Sequence, residues 1–256
     1  AFDASIALRR DIGDDLPLTV RANFGTVLVA SMFGASVHQT NDDPPWVEHR
    51  DNESSSLEAI ADTDPLDFAR GWIPRAVRTM QAYHELLGEF PQLKSTIRIV
   101  LPDLQGPLDN LELVRGSQAL LELASEPEGV ARALETLATA QIRLARHFQQ
   151  WTSEPANHRI HQHGVMLKGS ILLRDDCSVM ISAARYRKQI APHDERVMRE
   201  LGGGAIHSCG KVGHLLDEWL ALPSLRSLDL GQPELNDQDA IYAKAAAKQV
   251  PLIRLA

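Results

Sequence analysis

Short runs of apolar and β-branched residues alternate along the chain with longer stretches in which apolar positions recur every three or four residues. The runs Leu18–Ala22, Thr96–Leu101, Met166–Leu173, Ala205–His207, Ser224–Leu230 and Pro251–Leu255 predict strands. The stretches Pro65–Leu87, Asn110–Leu123, Pro127–Trp151, Ala183–Leu201, Gly213–Ala221 and Asp237–Lys248 predict helices. Ser125-Glu126-Pro127-Glu128 marks a helix start: a hydroxyl can accept from unpaired first-turn N–H groups, proline needs no donor there, and acidic residues suit the positive end of the dipole. Strands separated by helices predict a parallel α/β fold. The pattern fits a (β/α)8 TIM-type barrel, complete or short of a strand or two at the termini, better than a dinucleotide-binding fold. No GxGxxG follows the first strand, and GxxxxGK[ST] is absent. The polar segment from His38 to Ser56, with Pro44-Pro45, reads as a long loop within one domain spanning 1–256.

The 256 residues include 26 basic and 34 acidic side chains, a formal charge of −8, which argues against nucleic-acid or anionic-membrane partners. No stretch approaches the roughly 20 apolar residues that span a bilayer. Cys177 and Cys209 are too few for a disulfide framework, so a cytoplasmic location is the default expectation. The chain opens Ala1-Phe2-Asp3 and closes on an apolar run, and both ends are expected to be cut from something longer.

The sharpest chemical feature is the run Gly202 to Gly210, Gly-Gly-Gly-Ala-Ile-His-Ser-Cys-Gly. Side chains alternate along a strand, so His207 and Cys209 point to the same side, where imidazole and thiolate can share a metal. The bland alternative is a buried thiol beside a capping histidine. Asp103 and Gln105 follow one apolar run, and Arg174-Asp175-Asp176 follow another, where a barrel presents residues to substrate. Pro102-Asp103 also suits a plain turn, and one aspartate can simply pair with Arg174. His161 and His163 can face the same cavity or lie on a surface loop. His38 and Trp46 can contribute to a lid, and Lys168 reads as a partner for an acidic neighbour.

Longer motifs add a resemblance. Arg21-Ala22-Asn23-Phe24-Gly25, Pro102 to Pro107, Leu113-Val114-Arg115-Gly116, Glu126-Pro127-Glu128, Lys168-Gly169 and Arg174-Asp175-Asp176 are part of it. So are Ser178-Val179-Met180, Ile181-Ser182, Tyr186, Pro192, Gly202 to Gly210 and Gly231 to Asp237. Together they make the chain resemble the uroporphyrinogen decarboxylase superfamily, which includes zinc-dependent cobalamin and coenzyme M methyltransferases. The resemblance implies a (β/α)8 barrel with one active site at the carboxyl ends of the strands. It implies zinc held by His207 and Cys209, lowering the pKa of a thiol that accepts a methyl group. No cysteine follows Cys209, so the later cysteine ligand is expected beyond Ala256 or is replaced, and Glu234 can supply an oxygen or serve only as a loop acid. Within such a barrel, Asp103, Arg174 and Asp175 are the expected catalytic residues, and Arg21, Asn23, Gln105 and His163 the expected substrate contacts. A small molecule is the expected substrate, and a corrinoid the expected cosubstrate or protein-borne partner. Two alternatives remain: a metal-free decarboxylase of a carboxylated, porphyrinogen-like substrate, and a non-catalytic barrel that binds a corrinoid or a partner protein.

Overall fold

The computed structural model describes residues 12–13, 17–40, 43–48, 56–154, 157–160 and 166–253. Its strands are β1 (Leu18–Arg21), β2 (Ser36–His38), β3 (Trp46–Glu48), β4 (Ile97–Val100), β5 (His158–Ile160), β6 (Met166–Lys168), β7 (Leu172–Arg174), β8 (Gly204–Ser208), β9 (Leu225–Leu230) and β10 (Leu252–Ile253). Strands β7, β8, β9 and β10 lie side by side in chain order and all run parallel, and β1 pairs in parallel with β4. Helices separate successive members of the four-stranded sheet, as the alternation of patterns predicts. The chain is thus a mixed α/β protein with parallel sheets.

A closed ring of eight strands does not appear among the described pairings. Beside β4, residues 153 and 154 take the place of a strand. Ser153 N–H donates to the Ile99 carbonyl at 2.9 Å, but Ile99 N–H donates to the Ser153 hydroxyl and Leu101 N–H to the Glu154 carboxylate. Side chains replace backbone acceptors there, so the edge of β4 is satisfied without a ladder.

All six predicted strands occur, and each difference has a local cause. The run Met166–Leu173 divides at Gly169, whose φ is +117°, because β6 pairs antiparallel with β5 while β7 pairs parallel with β8. The predicted helix Asn110–Leu123 becomes Pro107–Arg115 and Gln118–Ser125, divided at Gly116 with φ +63°. The helix predicted from Pro65 begins at Ile73, with Pro74 in its first turn, and runs to Glu89. The predicted helix Ala183–Leu201 contains a π-helical segment, Tyr186–Ile190, just before Pro192. Proline cannot donate to a carbonyl one turn back, and a wider turn accommodates that missing bond. Within the expected loop, β2 and β3 form a hairpin in which His38 faces Trp46 and bonds Glu48 at 2.8 Å.

The helix Pro127–Gln149 organises the packing. Val130, Leu134, Leu137, Ala138, Gln141, Leu144, Ala145 and Phe148 recur on one buried stripe. This stripe meets the helices Leu57–Ala61, Pro107–Arg115 and Ala191–Glu200. Each fully buried leucine contributes about 1.5–3 kcal/mol relative to exposure. The Ala191–Glu200 helix approaches β8 so closely that a Cβ on Gly204 would lie 2.4 Å from Met198 Cγ. No helix among the described residues is long and apolar enough to cross a membrane.

Buried polar side chains also lie in this helix layer, Tyr186 and Asp194 among them. Tyr186 Oη donates to Asp194 at 2.7 Å. Burial raises the Asp194 carboxyl well above the usual range, and repulsion from Asp175 adds to it. Because the folded value is raised, the contribution of the protonated group is complete below about pH 3.9, the ordinary aspartate value, and is lost as pH rises through the folded value. Asp194→Asn is therefore expected to flatten the fall in melting temperature as pH rises from 4 towards neutrality. Parallel slopes for variant and wild type would contradict this.

Candidate functional site

Strand register builds the site. Arg174 on β7 lies opposite His207 on β8, and His207 lies opposite Asp229 on β9. Register partners in a parallel sheet share a face, so the three side chains form a row near the carboxyl ends of their strands. His207 Nδ1 lies 2.7 Å from a carboxylate oxygen of Asp229, which is completely buried. A carboxylate only accepts, so Nδ1 carries a proton, and the neutral ring then keeps its lone pair on Nε2.

That nitrogen faces two further donors. Cys209 Sγ lies 3.5 Å from His207 Nε2, and a carboxylate oxygen of Asp176 lies 3.8 Å from it. One ligand atom from each of Asp176, His207 and Cys209 lies within 4.8 Å of the others. A tetrahedral ion with bonds of about 2.3 Å to sulfur and about 2.05 Å to imidazole nitrogen would set those donors about 3.6 Å apart. The His–Cys separation matches this value, and the aspartate oxygen is a few tenths of an ångström wide of it. The Asp229–His207 bond is the outer support that metal-bound imidazoles commonly have. The chemistry of the donor set therefore suits a divalent ion.

Close packing at Gly231, directly after β9, allows this approach. A Cβ there would lie 2.5 Å from Cys209 Sγ and 3.2 Å from His207 Cε1. Gly231→Ala is expected to push the donors apart and weaken binding of a divalent ion roughly tenfold or more, by analogy with lost outer-shell support. Titration with zinc measures the effect; undiminished affinity would show that this contact does not set donor spacing.

A second group adjoins the row. Arg174 Nε lies 2.7 Å from Asp103 Oδ2, with both side chains largely buried. Gln105 donates to Asp103 Oδ1 through its backbone N–H at 3.1 Å and its side-chain amide at 2.7 Å. Gln105 adopts φ +56°, and its carbonyl accepts a hydrogen bond from the buried Gln141 side chain. A left-handed non-glycine residue costs energy and persists where surrounding bonds enforce it. Burial lowers the Arg21 guanidinium below its ordinary value, while Asp103 raises it and Arg174 lowers it further. Arg21 closes β1 opposite Val100 on β4, the strand that leads to Asp103. Arg21, Asp103, Gln105, Arg174, His207 and Cys209 thus lie at or just beyond the carboxyl ends of their strands.

Other expected residues sit elsewhere. Asp175 points away from the row, as alternation requires: its carboxylate accepts from Ser178 Oγ and, at 3.1 Å, from Trp219 Nε1. Burial raises its carboxyl to about 7, with those two bonds opposing the shift. Asp175 therefore braces the helix layer and does not join Arg174 at the site. Glu234 is exposed on the turn Pro233–Leu235 and is not among the clustered donors. Its neighbours Gln232 and Asn236 instead hold the loop of residues 210–213 by hydrogen bonds. Asn23 is exposed, and its side chain accepts from Arg21 at 2.7 Å. Lys168 is exposed on β6, and its carbonyl accepts from Ser227 Oγ at 2.9 Å. His161 and His163 lie outside the described residues. The hairpin bearing His38 and Trp46 meets the turn after β1, where a Cβ on Gly25 would lie 2.9 Å from the Pro45 carbonyl.

Asp176 and Asp229 are the additions made by the tertiary structure. Period-two alternation after Arg174 is the signal that singles out Asp176 over Asp175, and a lone aspartate in an apolar strand is the signal for Asp229. Cys177 has no part in the donor group; burial pushes its thiol far above the usual range. Comparison of the chain with protein-family models and with curated proteins finds no match.

Proposed function

We propose that Asp176, His207 and Cys209 bind zinc, and that the chain is an enzyme of methyl transfer to or from a thiol or corrinoid. The observation that carries this reading is the convergence of imidazole, thiol and carboxylate at 3.5 and 3.8 Å, with the imidazole held by Asp229. The motifs that resemble zinc-dependent methyltransferases of the uroporphyrinogen decarboxylase superfamily support it. Zinc bound there would keep a substrate thiol deprotonated at neutral pH. Asp229 fixes the His207 tautomer so that Nε2 remains a donor, while Arg21, Gln105 and the Asp103–Arg174 pair offer polar groups to orient a small substrate.

The same reading proposes a (β/α)8 barrel. Parallel strands in chain order, polar side chains collected at their carboxyl ends, and residues 153–154 occupying the edge of β4 all suit that architecture. A metal-free decarboxylase is the second reading, favoured by Arg21 and Arg174 grouped around Asp103. Metal analysis of the purified protein, with methyl transfer from methylcobalamin to a thiol assayed with and without chelator, separates them. Zinc near one equivalent and chelator-sensitive transfer are expected. Decarboxylation of a carboxylated substrate that persists in chelator would replace the first reading with the second. Corrinoid binding without turnover would leave a binding protein.

A further inference from the structure

We infer that Asp109 is a positioning residue: it clamps the turn after β7 so that the Asp176 carboxylate stands against His207 and Cys209. This inference rests on the zinc reading for its consequence but not for its geometry. Asp109 lies in the first turn of the helix Pro107–Arg115 and is 4% exposed. One of its carboxylate oxygens accepts from Asp176 N–H at 2.9 Å and the other from Cys177 N–H at 2.8 Å. Both oxygens are thus committed to backbone, in a bidentate grip on two successive residues of the turn after β7.

The grip passes directly to the donor group. Asp176 Oδ1 accepts the Cys209 N–H at 2.6 Å and is also the oxygen that lies 3.8 Å from His207 Nε2. One chain of contacts therefore runs from the helix through Asp109 to the Asp176 backbone, then through its side chain to the backbone of Cys209. The base of the helix is itself fixed against β7, because a Cβ on Gly106 would lie 2.3 Å from the Arg174 carbonyl oxygen. Asn110 tightens the same loop by donating to the Leu104 and Gly106 carbonyls at 2.8 and 2.9 Å. A carboxylate that accepts two amides can be replaced in shape, but not in hydrogen bonding, by an amide: one oxygen becomes a donor facing a donor.

Asp109→Asn tests this, with Asp176→Ala as the companion variant. In metal-free protein, amide hydrogen exchange is followed at residues 176, 177 and 209. Asp109→Asn is expected to speed exchange at all three. Asp176→Ala leaves the clamp on the backbone in place but removes the acceptor of the Cys209 N–H, and is expected to speed exchange at Cys209 while leaving Cys177 protected. If Cys209 keeps wild-type protection in either variant, contact is not transmitted and the inference is overturned, whether or not Asp109→Asn weakens the fold.

Zinc titration supplies the second readout. Asp109→Asn is expected to lower affinity about 10- to 100-fold, the range for lost outer-shell partners. Unchanged affinity in a wild-type protein that binds zinc would also overturn it. A wild-type protein that binds no zinc would instead sink the proposed function, and hydrogen exchange would still decide the role of Asp109.

Discussion

Cys209→Ala is expected to abolish stoichiometric zinc binding while the protein still melts cooperatively. The thiol is the softest donor of the three and the one whose separation from His207 Nε2, 3.5 Å, agrees with tetrahedral ligation. Removing it leaves an imidazole and a carboxylate, a pair that holds zinc far more weakly than a site with a thiolate. Little stability should be lost, because the bonds that fix this loop come from the backbone: Cys209 N–H to Asp176 and Gly210 N–H to the Gln232 side chain. Isothermal titration with zinc and the d–d spectrum of a cobalt(II) derivative measure the change. Retention of wild-type affinity would show that the sulfur is not a ligand, and with it the proposed methyl transfer would lose its physical basis.

Asp103→Ala is expected to lower stability by about 3 kcal/mol, the cost of breaking a buried pair by removing one partner. Arg174 and Asp103 side chains are only 10% and 9% exposed, so water cannot fully replace the lost carboxylate. Repulsion between Arg174 and the nearby Arg21 would rise once the charge that attracts both is gone. The Gln105 loop would loosen as well, since both of its donors end on Asp103. The double variant Asp103→Leu with Arg174→Met removes both charges at similar volume and should recover most of the loss. Urea unfolding at constant m-value provides the measurement; a double variant no better than the single one would show that packing, not charge pairing, makes Asp103 matter.

Periodicity in the sequence determined where most of the longer strands and helices form, because burying one face is a local demand written in residue spacing. It located β1, β4, β8, β9 and β10 and the long helix from Pro127, and its period of two placed His207 beside Cys209 on one side of a strand. It left the division at Gly169 and the turn at Gly116 unread, since glycine permits a left-handed backbone without requiring one. Three-residue strands such as β2 and β5 carry too few positions for a pattern to emerge. The third donor needed more than local reading: alternation after Arg174 puts Asp176 on the side of the row, but only parallel pairing of β7 with β8 brings it to His207, whereas Glu234 ends exposed on a turn. Tertiary structure likewise supplied Trp219 as the partner of Asp175 and gave His207 its buried Asp229. Alternation along one strand is a property of its own residues, but which strand lies beside it, and in what register, is decided only when helices and sheets pack together.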